Sequence, residues 1–166
     1  METVEGVFWL ITGSNADAGG EVCSAAMRAF AAAHPHRAGF VQSLGLKRYL
    51  SAMEYAALVA GNSSSGVVET PSFGVPAVNI GSRQAGRIQC ANVLSCGGDA
   101  GEIEAALRRA LSPEFAALAR TARSPYNGGD TAGKIVRVLD ARLGTPAMEQ
   151  AKTFYDGPVP AFDPLR

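Results

Sequence analysis

The sequence predicts an α/β fold in which a parallel sheet has helices on both faces. Short apolar runs alternate with amphipathic segments along the chain, and short turns rich in Gly, Ser or other polar residues follow the apolar runs. Short apolar runs are typical of buried strands, and their alternation with helices indicates a parallel sheet. Because ligands of such sheets bind at the carboxyl ends of the strands, the turns are the expected place of function.

The first part of the chain is predicted to contain three strands with a helix between each pair of consecutive strands. The run VFWLI begins the series, and the sequence His-Pro-His at 34–36 ends the first helix, since the residue before a proline disfavours helical geometry. Within that helix, apolar residues recur at helical spacing. The predicted segments are strand 7–11, helix 21–33, strand 38–42, helix 46–56 and strand 57–60.

The second part continues the alternation and then becomes mainly helical. The predicted segments are a helix beginning near Gly66, strands 75–80 and 91–94, and helices 102–111, 113–122 and 131–143. Thr131 is the predicted cap of the last helix. Residues 1–143 are expected to form one ligand-binding Rossmann-like domain, and residues 144–166 a tail rich in Pro and aromatic side chains.

Composition excludes several classes of function. Fifteen Lys and Arg balance fifteen Asp and Glu, so no general charge favours a nucleic-acid or membrane partner. No apolar stretch approaches the roughly 20 residues of a membrane span, and METVEG does not resemble a signal peptide. Three cysteines without a CxxC spacing predict neither disulfides nor a zinc site. We expect a soluble cytoplasmic protein with no metal and no cofactor.

The segment at 61–87, GNSSSGVVETPSFGVPAVNIGSRQAGR, holds the most informative side chains. Between a strand and a helix it places Ser63, Ser64, Ser65 and Gly66. Free backbone N–H groups and hydroxyls are expected at the N-terminus of this helix, and such groups suit an anion. Glu69 follows about one turn later, and Arg83 and Arg87 follow the next strand. The combination of donors, a carboxylate and guanidinium groups predicts a site for a nucleotide with a sugar attached.

Other chemistries fit this segment poorly. A serine-hydrolase elbow at Ser64 would need glycine where Asn62 stands, and a histidine downstream, whereas both histidines lie upstream. The dinucleotide pattern GxGxxG and the phosphate-binding GK[ST] sequence are absent.

The residue types alone leave two interpretations of the segment open. In the first, the serines hold a diphosphate, Glu69 binds ribose hydroxyls, Leu44 and its neighbours meet a base edge, and Arg83 reaches phosphate. In the second, the serines only cap a helix, Glu69 is solvated and Arg83 pairs with a carboxylate. Asn15 and Asp17 are equally compatible with a plain turn.

The same segment resembles the signature region of the hydrolysing UDP-N-acetylglucosamine 2-epimerases, which begin the synthesis of sialic and related nonulosonic acids. SNADAGG at 14–20, SPYNGGDTAGKIVRVL at 124–139 and KTFYD at 152–156 resemble further family elements in the family's order. The related non-hydrolysing enzymes carry Asp-Ser-Gly-Gly followed by two glutamates here. This chain instead has Ser-Ser-Ser-Gly and a single Glu69, which favours the hydrolysing branch.

Carried over by position, the resemblance implies a UDP site made of Asn15, Leu44, Ser63, Ser64, Gly66, Glu69 and Arg83. Within it, Ser63 and Ser64 bind the diphosphate, Glu69 binds the ribose and the backbone of Leu44 contacts uracil. No catalytic residue is assigned, because the acid/base groups of the family lie upstream of the part that this chain resembles.

The family enzymes have two similar α/β domains in the GT-B arrangement, and the likeness covers only the C-terminal one. The resemblance therefore implies the UDP-binding half of an enzyme that converts UDP-N-acetylglucosamine and water to N-acetylmannosamine and UDP. A truncated chain of this kind is expected to be inactive alone and to need an N-terminal domain or another copy as partner. The alternatives are a non-catalytic nucleotide-sugar-binding subunit and half of a GT-B glycosyltransferase.

Overall fold

The computed structural model describes residues 1–14 and 19–145. The chain divides after Asn127 into two compact units, and each is described by itself. The first contains β1 (Trp9–Thr12), α1 (Gly20–Ala33), β2 (Ala38–Val41), α2 (Gly45–Tyr55), β3 (Val59–Gly61), α3 (Ser65–Val68), α4 (Thr70–Phe73), β4 (Ala77–Ile80), β5 (Val93–Cys96), α5 (Ala100–Ala110) and α6 (Pro113–Thr121). In the described part of the second unit lies α7 (Thr131–Arg142).

All strand pairs in the described chain are parallel, which confirms the predicted α/β class. The hydrogen-bonded ladders form a two-stranded sheet, β1–β2, and a three-stranded sheet, β3–β4–β5, whereas the sequence predicted one sheet. Trp9 explains how the two parts are joined, since its side chain packs in the hydrophobic clusters of both sheets. The sheets therefore meet through side-chain packing rather than through a shared ladder.

One cluster of apolar side chains holds each sheet against a helix. On the three-stranded sheet, Val78 of β4 packs with Leu107 and Ala110 of α5 and with Phe115 of α6. On the two-stranded sheet, Ala31 of α1 packs with Ile11 of β1 and Ala38 of β2. Phe8, just before β1, and Leu10, within it, alternate with Trp9 and Ile11, which pack in this cluster. Phe8 and Leu10 are 61% and 50% exposed.

The helix predicted from Gly66 is two single turns, α3 and α4, with Glu69 between them. Pro71, at the start of the second turn, has no N–H for a helical hydrogen bond, which accounts for the interruption. The hydroxyl of Thr70 donates instead to the carbonyl of Gly66 at 2.8 Å. The sequence predicted that Glu69 lies inside a continuous helix. In the structure it lies at the junction of two single turns.

The prediction that Thr131 caps the last helix is wrong. Asp130 is the N-cap residue of α7, and its carboxylate accepts a hydrogen bond from the N–H of Gly133 at 3.0 Å. The hydroxyl of Thr131, the predicted cap, donates to the carbonyl of Gly129 at 3.1 Å. An aspartate is as good a cap as a threonine, so the pattern fitted either residue. Among the described helices, none is long and apolar enough to cross a membrane.

Candidate functional site

A cleft of about 1150 Å³ opens at the carboxyl ends of β1, β2, β3 and β4. The topology predicted that the loops after these strands would share one edge, and the cleft is where they meet. Its walls are formed by Thr12, Gly13, Ser14, Gly19, Gly20, Cys23, Met27, Gln42, Ser43, Leu44, Gly45, Leu46, Tyr49, Asn62, Ser63, Ser64, Ser65, Ile80, Arg83, Gln84 and Arg87. Leu44, Ser63, Ser64 and Arg83 thus lie on one surface.

The loop after β3 turns sharply into the cleft. Gly61 ends the strand with φ +149°, a conformation that favours glycine. The hydroxyl oxygen of Ser63 accepts from the N–H of Ser65 at 3.3 Å, and its carbonyl accepts from the N–H of Gly66 at 3.3 Å. The sequence predicted unpartnered N–H groups here, which is wrong for Ser65 and Gly66. The exposed side chains of Ser63 and Ser64 are among the polar groups of this wall.

Glu69 and Gly66 do not line the cleft, although the sequence places both in the site. The Oε2 atom of Glu69 is buried and has no hydrogen-bond partner within the described residues. A buried carboxylate oxygen without a donor is unfavourable, so this atom is a candidate for a contact that the described protein groups do not provide.

The loop after β4 carries two arginines into the same cleft. Gly81 is tied to the neighbouring strand by a hydrogen bond from its N–H to the carbonyl of Cys96 at 2.9 Å. Two successive turns follow, in which the N–H of Ala85 donates to the carbonyl of Ser82 and that of Arg87 to the carbonyl of Gln84, at 2.9 and 3.2 Å. The exposed side chains of Arg83 and Arg87 supply positive charge to the cleft that the serines also line.

Gln84 joins the two loops. Its side chain is 4% exposed, and its Nε2 donates to the backbone carbonyl of Asn62 at 2.8 Å. The Oε1 atom of the same amide is buried without a partner among the described groups. Sequence reasoning missed this residue, since a glutamine in a polar loop gives no signal of burial.

Ser14, which follows β1, is joined to α1 through a second serine, Ser24. The N–H of Ser14 donates to Oγ of buried Ser24 at 3.0 Å, and the two hydroxyl oxygens lie 2.7 Å apart. A Cβ at Gly13 would lie 2.5 Å from Nε2 of Gln42, so a larger residue here would require that exposed side chain to move. Asn15, a predicted contact, lies outside the described residues, as does Asp17.

The loop after β2 forms the wall beside Leu44. The hydroxyl oxygen of Ser43 accepts from the N–H of Gly45 at 3.2 Å, which starts α2 directly at the cleft. Leu44 is the N-cap residue of that helix and lines the cleft together with Tyr49 from the next turn. A backbone turn beside an apolar side chain and an aromatic ring suits a flat, partly apolar group such as a base.

A buried hydrogen-bond chain supports the junction that carries Glu69. Asn92 is fully buried, and its Nδ2 donates to Oγ1 of Thr70 at 2.9 Å and to the carbonyl of Val75 at 2.7 Å. Thr70 passes the chain on by donating to the carbonyl of Gly66. No pattern in the sequence indicates this network, because it depends on which loops meet in space.

The charges of the cleft favour an anion. Two arginines and several hydroxyls line it, and none of the lining side chains in the described ranges is a carboxylate or an imidazole. Guanidinium and hydroxyl groups donate hydrogen bonds to anions, so the described walls are suited to binding one. Within residues 1–14 and 19–145, no group of three metal-ligating side chains is found.

Comparisons with known proteins agree on one family. A family model described as UDP-N-acetylglucosamine 2-epimerase matches residues 2–140. The "GDP/UDP-N,N'-diacetylbacillosamine 2-epimerase (hydrolyzing)" of Campylobacter jejuni is 32% identical over 115 residues, which are 69% of this chain and 29% of the relative. The "Polysialic acid biosynthesis protein P7" of Escherichia coli is 28% identical over 150 residues, which are 90% of this chain and 38% of the relative.

A third relative, the "UDP-N-acetylglucosamine 2-epimerase" of Neisseria meningitidis, is 31% identical over 90 residues, which are 54% of this chain and 22% of the relative. The matched part of this chain therefore spans less than two fifths of the length of each of these three relatives.

Proposed function

Because the chain belongs to the UDP-N-acetylglucosamine 2-epimerase family, we propose that it is the UDP-binding C-terminal half of a hydrolysing member. The reaction is loss of UDP from C1 and of a proton from C2 of UDP-N-acetylglucosamine, followed by addition of water to give N-acetylmannosamine. The observation that carries the proposal is the cleft in which serine hydroxyls and two arginines face one space at the carboxyl ends of four strands.

Ser63, Ser64 and Arg83 are the proposed contacts of the diphosphate. Guanidinium groups form strong, charge-assisted hydrogen bonds with phosphate oxygens, and hydroxyls add further donors. The N–H groups of Ser65 and Gly66 already have partners, so the side chains carry most of the proposed binding on this wall. Negative charge grows on the diphosphate as it leaves the sugar, and a guanidinium at this position stabilises that charge.

Glu69 is the proposed ribose contact. Its buried, unpartnered Oε2 supports this role, because a ribose hydroxyl would supply the donor that the described residues do not provide. Because Glu69 does not line the cleft in this structure, the proposal requires the site to rearrange when the nucleotide binds. Leu44 is the proposed backbone contact of uracil, and Asn15 remains a proposed contact on the sequence resemblance alone.

The chemistry on the sugar is assigned to groups outside this cleft. Its described walls carry no carboxylate or imidazole to remove the C2 proton, so we expect the chain alone to bind UDP without turning over the sugar nucleotide. A separate N-terminal domain is the proposed source of the acid/base groups.

Titration calorimetry of the purified chain with UDP tests this function. GDP is the comparison nucleotide, because the name of one relative includes both nucleotides. We expect UDP to bind one-to-one, and Arg83→Ala to weaken binding about 10- to 100-fold through loss of a charge-assisted contact. The matched control is Arg109→Ala, at an exposed position on α5 away from the cleft. Absence of UDP binding contradicts the proposal, and release of UDP from UDP-N-acetylglucosamine by the chain alone contradicts the assigned division of labour.

A further inference from the structure

We propose that Gln84 is a positioning residue that fixes the distance between the two loops assigned to the diphosphate; this inference rests on the proposed function. The residue directly follows Arg83, and its side-chain partner, the carbonyl of Asn62, directly precedes Ser63. One hydrogen bond of 2.8 Å therefore joins the immediate neighbours of the guanidinium and of the first serine.

The orientation of the Gln84 amide is set by its partner. A backbone carbonyl only accepts hydrogen bonds, so the atom that faces Asn62 is Nε2, and Oε1 points to the other side. There Oε1 is buried and has no hydrogen-bond partner in the described part of the chain. A buried acceptor without a donor lowers stability, so the contribution of this glutamine to the folded state is offset by its own amide oxygen.

The backbone of Gln84 holds the arginine loop as well. Its carbonyl accepts from the N–H of Arg87 and closes the turn that carries this second arginine. The side chain of Gln84 reaches the loop after β3, while its main chain shapes the loop after β4. A displacement of either loop is therefore transmitted to the other through one buried residue.

A ligand that touches both loops gains most from this link. A diphosphate bridges the serines and the guanidinium, and its affinity depends on a preset distance between them. A monophosphate contacts fewer of these groups and depends less on that distance. UDP and UMP, which share the same base and ribose, should therefore respond differently when the link is removed.

Two substitutions test the role. Gln84→Met keeps the length of the side chain and removes both polar atoms, so we expect the thermal unfolding midpoint to stay near that of the wild type. We expect UDP affinity to fall about tenfold and UMP affinity by about twofold or less, because only the diphosphate needs both loops in register. Gln89→Met is the matched control, since Gln89 is exposed and does not line the cleft.

Gln84→Glu supplies a signature that a merely structural role would not produce. In this variant a protonated carboxyl would donate to the Asn62 carbonyl as the amide does, whereas an ionised carboxylate would repel it. Burial at this position raises the pKa of a carboxyl, so we expect the ratio of variant to wild-type Kd for UDP to fall as pH is lowered from about 8 to about 5. The same ratio measured for UMP separates this effect from direct repulsion between the carboxylate and a phosphate, because Gln84 also lines the cleft.

The possible outcomes separate this inference from the proposed function. A wild-type chain that binds no UDP overturns both. A wild-type chain that binds UDP, with Gln84→Met binding it equally well or losing UDP and UMP to the same extent, overturns the positioning role alone. If Gln84→Met does not fold, a pH-independent ratio for Gln84→Glu, or one that falls equally for UDP and UMP, overturns that role. A ratio that falls more for UDP than for UMP as pH is lowered supports it.

Discussion

Replacing Asn92 with alanine tests the hydrogen-bond chain beneath the proposed nucleotide site. The Nδ2 atom of Asn92 donates to Thr70 at 2.9 Å and to the carbonyl of Val75 at 2.7 Å, in a residue with no exposed surface. Alanine removes both bonds, deprives the Val75 carbonyl of this donor and leaves a small cavity. The helix junction that carries Glu69 then loses its tie to the segment before β5.

The expected loss of unfolding free energy is about 2–4 kcal/mol. Each lost hydrogen bond contributes about 1 kcal/mol, and a buried carbonyl deprived of its donor adds about 1–3 kcal/mol. Part of this is offset, because Oδ1 of Asn92 is itself buried without a partner among the described residues and alanine removes it. A change of this size lowers the unfolding midpoint of a chain of this length by roughly 5–15 °C.

Urea unfolding monitored by circular dichroism measures this change. Glu54→Gln, at an exposed position on α2, is the control and is expected to alter the free energy of unfolding by less than about 0.5 kcal/mol. In a double-mutant cycle with Thr70→Ala, the Asn92–Thr70 pair should show a coupling energy of about 1 kcal/mol. A loss below about 1 kcal/mol for Asn92→Ala, or zero coupling, would refute the argument from burial and pairing.

Three further predictions concern the cleft and its surroundings. Ser64→Ala should weaken UDP binding about 3- to 15-fold by calorimetry through loss of one hydroxyl contact, while the exposed Ser51→Ala leaves it unchanged. Saturating UDP should slow alkylation of Cys23, which is exposed and lines the cleft, as followed by mass spectrometry; unchanged labelling would place the nucleotide elsewhere. Burial, and then the negative charge of Glu102, raises the pKa of the Cys96 thiol. Its alkylation should therefore require a higher pH than that of an ordinary thiol, and Glu102→Gln should lower this pH; no effect of the substitution would contradict the electrostatic part.

The sequence predicted the order of the elements because apolar runs report burial directly. The strand predicted at 38–42 is Ala38–Val41 in the structure, and the helix predicted at 113–122 is Pro113–Thr121. Strand starts were less accurate: the strand predicted at 57–60 begins at Val59. Leu58 is apolar because it packs against the core cluster, although it precedes the paired residues, so hydropathy cannot separate it from the strand.

The site was predictable to the extent that it depends on topology. Ser63, Ser64 and Arg83 follow strand ends, and a parallel sheet gathers such residues at one edge. Gln84 and Asn92 could not be found in this way, because their burial follows from contacts between separate loops and a polar residue in a loop is usually exposed.

The most direct test of the UDP-binding proposal is an amide chemical-shift titration of the nitrogen-15-labelled chain with UDP. We predict that the largest shifts occur at Ser63–Ser65 and at Arg83–Arg87, in the two loops that Gln84 joins, with saturation at one nucleotide per chain. Shifts confined to other surfaces, or no shifts at millimolar UDP, would contradict the proposal.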